Sequence, residues 1–175
     1  MAIKAPFNLF NWIEDNRDLL KPPVGNKNLY VESGDYIVMI VGGPNARKDY
    51  HYNETEELFF QLEGSITVYI QEDGKRRAVE IKEGEMFLLP GKVPHSPVRG
   101  EGTVGLVIER KREPHHQDGL MWFSETANEK LYEEYFHLTN IEKDFLPVFK
   151  RFYADEKLRT CPKTGEVMEA DERFA

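Results

Sequence analysis

A mainly β fold is what the sequence predicts, an antiparallel sandwich or small barrel with an N-terminal helix and a C-terminal helical tail. Three observations predict it. Short β-rich runs crowd the stretch from Leu29 to Glu109, Gly, Pro, Asn and Asp punctuate them, and no helical pattern intervenes that could connect parallel strands. With 175 residues, 40% of them hydrophobic, the chain can build one well-cored domain and is too short to expect a second.

Residues 8–20 mix apolar Leu9, Phe10, Trp12, Ile13, Leu19 and Leu20 with charges, and Asn11 followed by Glu14 resembles a capping box, so a short helix is expected to end before Pro22-Pro23. The strands are expected at YIVMIV (36–41), LFFQL (58–62), SITVYI (65–70), AVEI (78–81), EMFLLP (85–90) and TVGLVIE (103–109). Beyond residue 120, LYEEYFHL suits either strand or helix, and IEKDFLPVFKRFYADEKLR reads as an amphipathic helix bent near Pro147. The chain 1–175 therefore divides into a helix and loop (1–28), a β core (29–110) and a C-terminal extension (120–175) within one domain. An exposed strand edge leads us to expect a homodimer.

A formal net charge of −8 disfavours nucleic acid, which needs clustered basic residues to neutralise phosphates. Cys161 is the sole cysteine, so neither an internal disulfide nor a four-thiolate metal site is available. The first twenty residues are interrupted by Glu14, Asp15, Arg17 and Asp18, and no run approaches the roughly 20 apolar residues of a membrane span. The expectation is a cytoplasmic protein without membrane or nucleic-acid partners.

The chemistry concentrates in two stretches. One reads His51-x-Asn53-x3-Glu57-x6-Gly64 and the other Gly84-x5-Pro90-x4-His95. A lone histidine in a β protein is more often a hydrogen-bonded residue than a ligand, and that reading stands for His115, His116 and His137, which have no comparable spacing. Two imidazoles and one carboxylate on neighbouring strands, by contrast, can form a facial triad that leaves metal positions open for substrate and dioxygen. Glu54 and Glu56 compete with Glu57, but only Glu57 has the six-residue gap to Gly64. Side chains at 95, 97 and 99 share a face if that segment is extended, which puts Arg99 beside His95. Arg47 precedes His51 by four residues, and a guanidinium near a metal suggests a carboxylate-bearing substrate. Glu109, ending the run VGLVI, is a further candidate.

The two spaced motifs resemble those of the cupin superfamily, with Asn53 where many members have a second histidine. Within it, LLKPPVGN (19–26), VGGPNARKDYH (41–51), FLLPGKVPHSPVR (87–99), GLVIER (105–110) and LTNIEKDFLPVFKRFYA (138–154) resemble the 3-hydroxyanthranilate 3,4-dioxygenase family. The resemblance implies a cupin double-stranded β-helix, a small barrel or jelly roll. It also implies one Fe(II) per chain, held by His51, Glu57 and His95, that cleaves the ring of 3-hydroxyanthranilate with O2. The product, 2-amino-3-carboxymuconate semialdehyde, cyclises to quinolinate in the kynurenine route of tryptophan catabolism toward NAD. Substrate contacts fall on Arg47, Arg99 and Glu109: Arg99 would grip the carboxylate, Glu109 would accept a hydrogen from the hydroxyl or amine, and Arg47 would stabilise negative charge developing on oxygen. Arg47 and Glu109 are thus the expected catalytic residues. Alternatives are a related dioxygenase for another ortho-substituted hydroxybenzoate, a sugar isomerase or a non-enzymatic ligand-binding cupin.

Many microbial members carry a second, rubredoxin-like iron site in the tail. The corresponding positions here hold Ser124, Ala127, Cys161 and Thr164, so three thiolates are missing and no second metal is expected. Cys161 then serves as a vestige or a small packing residue. The tail's aromatic residues are expected to pack as far as Tyr153, and GEVMEADERFA to fray.

Overall fold

The computed structural model of the protein describes residues 3, 5–21, 25–32, 34–45 and 47–174. Helix α1 spans Leu9–Asp15, a 3-10 turn follows at Arg17–Leu20, and Pro22 and Pro23, the expected stop, lie outside the described residues. The helix is capped by Asn8, whose side chain accepts from the Asn11 backbone N–H, so the cap lies three residues before the expected Asn11.

The strands are β1 (Asn26–Asn28), β2 (Tyr36–Gly42), β3 (Tyr50–Tyr52), β4 (Glu57–Glu63), β5 (Ile66–Glu72), β6 (Lys75–Ile81), β7 (Met86–Leu89), β8 (His95–Arg99), β9 (Val104–Arg110), β10 (Asp118–Phe123) and β11 (Lys130–Phe136). They form two antiparallel sheets, one in the order β1-β2-β9-β4-β7 and the other β11-β10-β3-β8-β5-β6. Met39, Phe59, Leu89 and Val107 from the first sheet meet Ile66, Val68, Ile70 and Ile81 from the second in one buried cluster, so the sheets lie face to face as a jelly roll rather than a closed barrel.

All the runs expected as strands are strands. The ambiguous LYEEYFHL is strand as far as Phe136, in β11, which pairs with β10 from Asp118↔Phe136 to Trp122↔Tyr132 before a register shift. The β structure therefore continues past residue 110, into the segment assigned to the extension. The short β3 and β8, too brief or too polar to stand out in the sequence, hold the centre of the second sheet.

On the outer face of the first sheet, Ile13 and Leu20 pack against Ile40, Leu62 and Val104. At the β10 end of the second sheet, on the face that carries His51, Leu120 and Trp122 of β10 join Phe145, Val148, Phe149, Phe152 and Tyr153 of α2 (Ile141–Ala154). The helix runs on through Pro147, and the break falls instead at Asp155, which caps the short α3 (Glu156–Arg159). The end of the chain is packed where fraying was expected: Met168 is buried in the same cluster and the Phe174 ring lies 4.6 Å from that of Phe149.

The Trp122 indole is fully buried and stacks on Phe152 at 4.2 Å. Phe152→Ala, which opens a cavity under that ring, is expected to lower the unfolding free energy by about 3–5 kcal/mol in a denaturant titration.

Candidate metal centre

Antiparallel pairing sets His51 of β3 directly opposite His95 of β8, and their rings come within 5.3 Å of each other. The facing sheet supplies Glu57, the first residue of β4. One ligand atom from each of the three lies within 4.8 Å of the other two, and among the described residues this is the one His/Cys/Asp/Glu group that converges so. Glu54, a competitor for the same role, instead accepts from the Gln117 backbone N–H. His115 is exposed, and the Nδ1 of His137 faces the His116 carbonyl at 3.0 Å.

The donor set suits a cation on physical grounds. His95 Nδ1 faces the Val93 carbonyl at 3.0 Å, an acceptor, so Nδ1 carries the proton and Nε2 presents a lone pair. That Nε2 stands 3.1 Å from Glu57 Oε2, a buried oxygen with no hydrogen bond of its own. Two lone pairs this close in a dry site need positive charge between them, a proton or a metal ion. The ionisation of the pair follows the same logic. Burial alone would raise Glu57 and lower His95, but their mutual attraction outweighs it, holding the carboxyl below its usual range and the imidazole above.

His51 Nε2 meets Asp118 Oδ2 at 2.7 Å, and burial pushes the His51 imidazole down, toward the neutral form that binds metals. Asp118 opens β10, which pairs with β3 so that Leu120 stands opposite His51. Burial raises Asp118, but hydrogen bonds from Arg112 and His51 prevail and keep it a carboxylate. Arg112, its side chain 3% exposed, bridges Asp118 (2.8 and 2.5 Å) to Glu109 Oε2 (2.8 Å). Neither Asp118 nor Arg112 was singled out in the sequence. Asp-Gly reads as a turn and ERKRE as a surface charge run; the one available signal was an acidic residue directly preceding the apolar run GLMWF.

Glu109 stands opposite Glu57 in the β4–β9 ladder. Burial and the negative Glu57 push it up to about 7, with Arg112 opposing. Asn53, in the position where a second histidine was sought, donates from Nδ2 to Glu109 Oε2 at 3.1 Å while its Oδ1 accepts from the Thr55 backbone N–H and hydroxyl. The side chains of β4 and β9 that face inward form rungs: Glu57 with Glu109, Phe59 with Val107, and Gln61 with Gly105.

Arg99, at the far end of β8 from His95, is 3% exposed. Burial pushes its guanidinium down to about 10, so it stays cationic at neutral pH. Among the described residues no carboxylate lies within ion-pair distance of it, and its one side-chain hydrogen bond goes to Gln61 Oε1 at 3.5 Å. Arg47 has a different setting: its guanidinium lies over the rings of Phe145 (5.7 Å) and Phe149 (5.4 Å) and pairs with buried Asp49 at 3.3 Å. It adjoins the metal group through Phe145, whose ring is 5.3 Å from that of His51.

In the tail, Ser124 and Cys161 are buried. The two turns proposed to have lost their thiolates are joined by the Thr126 hydroxyl, which donates to Glu166 Oε2 at 2.5 Å, and by an ion pair between Lys163 and Glu129.

A family model described as 3-hydroxyanthranilic acid dioxygenase matches residues 1–153. The 3-hydroxyanthranilate 3,4-dioxygenase of Xanthomonas campestris pv. campestris (strain 8004) is 57% identical over 170 residues, covering 97% of this chain and 96% of the relative. Enzymes of the same name from Burkholderia cenocepacia and Neurospora crassa are 46% and 45% identical, over 95% and 93% of this chain and 94% and 89% of theirs. A cupin-2 domain protein of known structure from Shewanella frigidimarina superposes with a TM-score of 0.47 at 21% identity, over 57% of this chain and 92% of its own.

Because Asp118 fixes the His51 ring from outside the metal group, Asp118→Asn is expected to weaken divalent metal binding by about 10–100-fold, read by chelator competition, while the circular dichroism of the metal-free protein is unchanged.

Proposed function

The chain belongs to the 3-hydroxyanthranilic acid dioxygenase family, and from that premise we propose that His51, Glu57 and His95 hold one ferrous ion per chain and that the slot lined by Arg99 and Glu109 takes 3-hydroxyanthranilate. The protein is a ring-cleaving dioxygenase that converts this substrate and O2 to 2-amino-3-carboxymuconate semialdehyde. The product cyclises to quinolinate, on the route from tryptophan toward NAD. The observation that carries the substrate reading is the buried Arg99, a cation that forms no ion pair among the described residues. A desolvated guanidinium is the natural partner of the substrate's ring carboxylate.

Iron held by His51, Glu57 and His95 would supply the redox chemistry with dioxygen. The chain's own residues do the rest. Arg99 fixes the carboxylate and so the rotation of the ring. Phe59 and Val107, on the rung between the two polar ends, form apolar walls that exclude water. Glu109, buried opposite Glu57, is placed to take the hydroxyl proton, and the Asn53 and Arg112 hydrogen bonds steady its carboxylate. Arg47, held over Phe145 and Phe149, adds positive potential on the His51 side of the cavity. With its lone thiol unpaired, the chain suits the reducing cytoplasm, where we place it.

The same reading includes a homodimer. Its support is the edge strand β7, where Met86 (63% exposed) and Leu88 (53% exposed) extend the apolar outer face begun by their register partners Phe60 and Leu58. Leu88→Lys is expected to yield a folded monomer by light scattering; an unchanged mass in the variant would remove this face from the dimer.

Anaerobic reconstitution with Fe(II), followed by oxygen uptake and the rise and decay of semialdehyde absorbance with 3-hydroxyanthranilate, tests the activity directly. Arg99→Ala is expected to cost roughly 2–5 kcal/mol in kcat/KM, and an unchanged value would sink its role. Glu57→Ala is expected to lose iron on desalting, and stoichiometric retention would count against the triad.

A further inference from the structure

Arg99 alone does not explain a carboxylate slot, because a buried guanidinium ordinarily finds a protein carboxylate or bends toward one. Two neighbours keep it unmatched and in place. Gln61, 1% exposed, uses its amide nitrogen to donate to the Glu63 carbonyl at 2.7 Å, across the register shift in β4. That bond turns Oε1 toward Arg99, since the opposite orientation would set an amide N–H against a guanidinium N–H. Gln61 thus offers an acceptor without a charge.

Its rung partner, Gly105, supplies the space. A Cβ at this position would stand 2.9 Å from Arg99 Nη1 and 2.9 Å from Gln61 Oε1, with the nearest backbone atom, the Phe60 carbonyl oxygen, at an ordinary 3.6 Å. A methyl group here would therefore push side-chain ends and leave the strand intact.

We propose that Gln61 and Gly105 are positioning residues that set the preference for a carboxylate-bearing ring: neutral Gln61 orients the Arg99 guanidinium without satisfying its charge, and side-chain-free Gly105 lets it lie in the slot. The proposal rests on the reading that Arg99 receives the substrate carboxylate. A glutamate at 61 would form a permanent internal ion pair and compete with the substrate for Arg99. An alanine at 105 would displace the guanidinium.

The test compares 3-hydroxyanthranilate with 2-aminophenol, which keeps the adjacent hydroxyl and amino groups and lacks the carboxylate. In iron-loaded protein, Gln61→Glu is expected to lower kcat/KM for 3-hydroxyanthranilate at least about thirtyfold while changing that for 2-aminophenol less than about threefold, so that the ratio collapses. Gly105→Ala is expected to shift the ratio in the same direction. Anaerobic titration followed by the fluorescence of 3-hydroxyanthranilate gives the matching loss of affinity without turnover. Thermal unfolding serves as the fold control; Gly105→Ala, which crowds only side-chain ends, decides the matter if Gln61→Glu does not fold. A wild-type ratio in either folded variant overturns the proposal. Arg99→Met, run alongside, separates the two failures: a wild-type ratio there overturns the carboxylate reading itself, whereas a collapsed ratio there with a preserved ratio in the other variants overturns only the roles of Gln61 and Gly105.

Discussion

Glu57 is a buried carboxylate whose Oε2 faces the lone pair of His95 Nε2 at 3.1 Å, and much of the rest of the architecture follows from accommodating that contact. Such an arrangement is stable only with positive charge between the groups. The two sheets bring it about jointly, because the imidazoles sit on β3 and β8 of one and the carboxylate begins β4 of the other. A one-residue register slip of β3, β4 or β8 within its sheet would turn a ligand to the opposite face. The apolar cluster between the sheets is therefore what holds the ligand geometry, and a metal bound there would tie the sheets together at one end.

The interior carries an unusual charge load for its size. Glu57, Glu109 and Asp118 are all buried, and Arg112 with its side chain out of water is shared between the last two. A metal at the triad would compensate the first and, by its own field, draw the raised Glu109 back toward ionisation. Arg99 lies beyond the Phe59–Val107 rung, beside Gln61 and Gly105, and the Glu57 charge is what opposes the lowering of its pKa by burial.

The tail takes part in this arrangement. β10 carries Asp118 at its start and Trp122 near its end, so the strand that orients His51 is the one anchored by the aromatic cluster of α2. The two tail turns are joined by the Thr126–Glu166 hydrogen bond and the Lys163–Glu129 ion pair, and Trp122 stacks on Phe152. Phe145 links this cluster to both His51 and Arg47.

By itself the sequence determined the β-rich middle, the amphipathic tail helix, the family resemblance and the residues His51, Glu57, His95, Arg99 and Glu109 as those to watch, because strand alternation and ligand spacing are local properties written along the chain. Strands β3 and β8 were not legible: at three and five residues, with polar side chains turned inward, they lack the apolar signature of a strand. Asp118 was hidden for a related reason, since its role arises from the pairing of β10 with β3, across more than sixty residues of sequence, and Arg112 gains its role from holding Asp118 and Glu109. Asn53 looked like a missing ligand and is a hydrogen-bond donor to Glu109. Arg47 and Arg99 were both assigned to the substrate, yet one rests on aromatic rings and pairs with Asp49 while the other is buried with no carboxylate among the described residues within ion-pair distance. Only the tertiary structure decides such differences, because burial and the choice of partner set what a charge can do, and neither is a property of the residue alone.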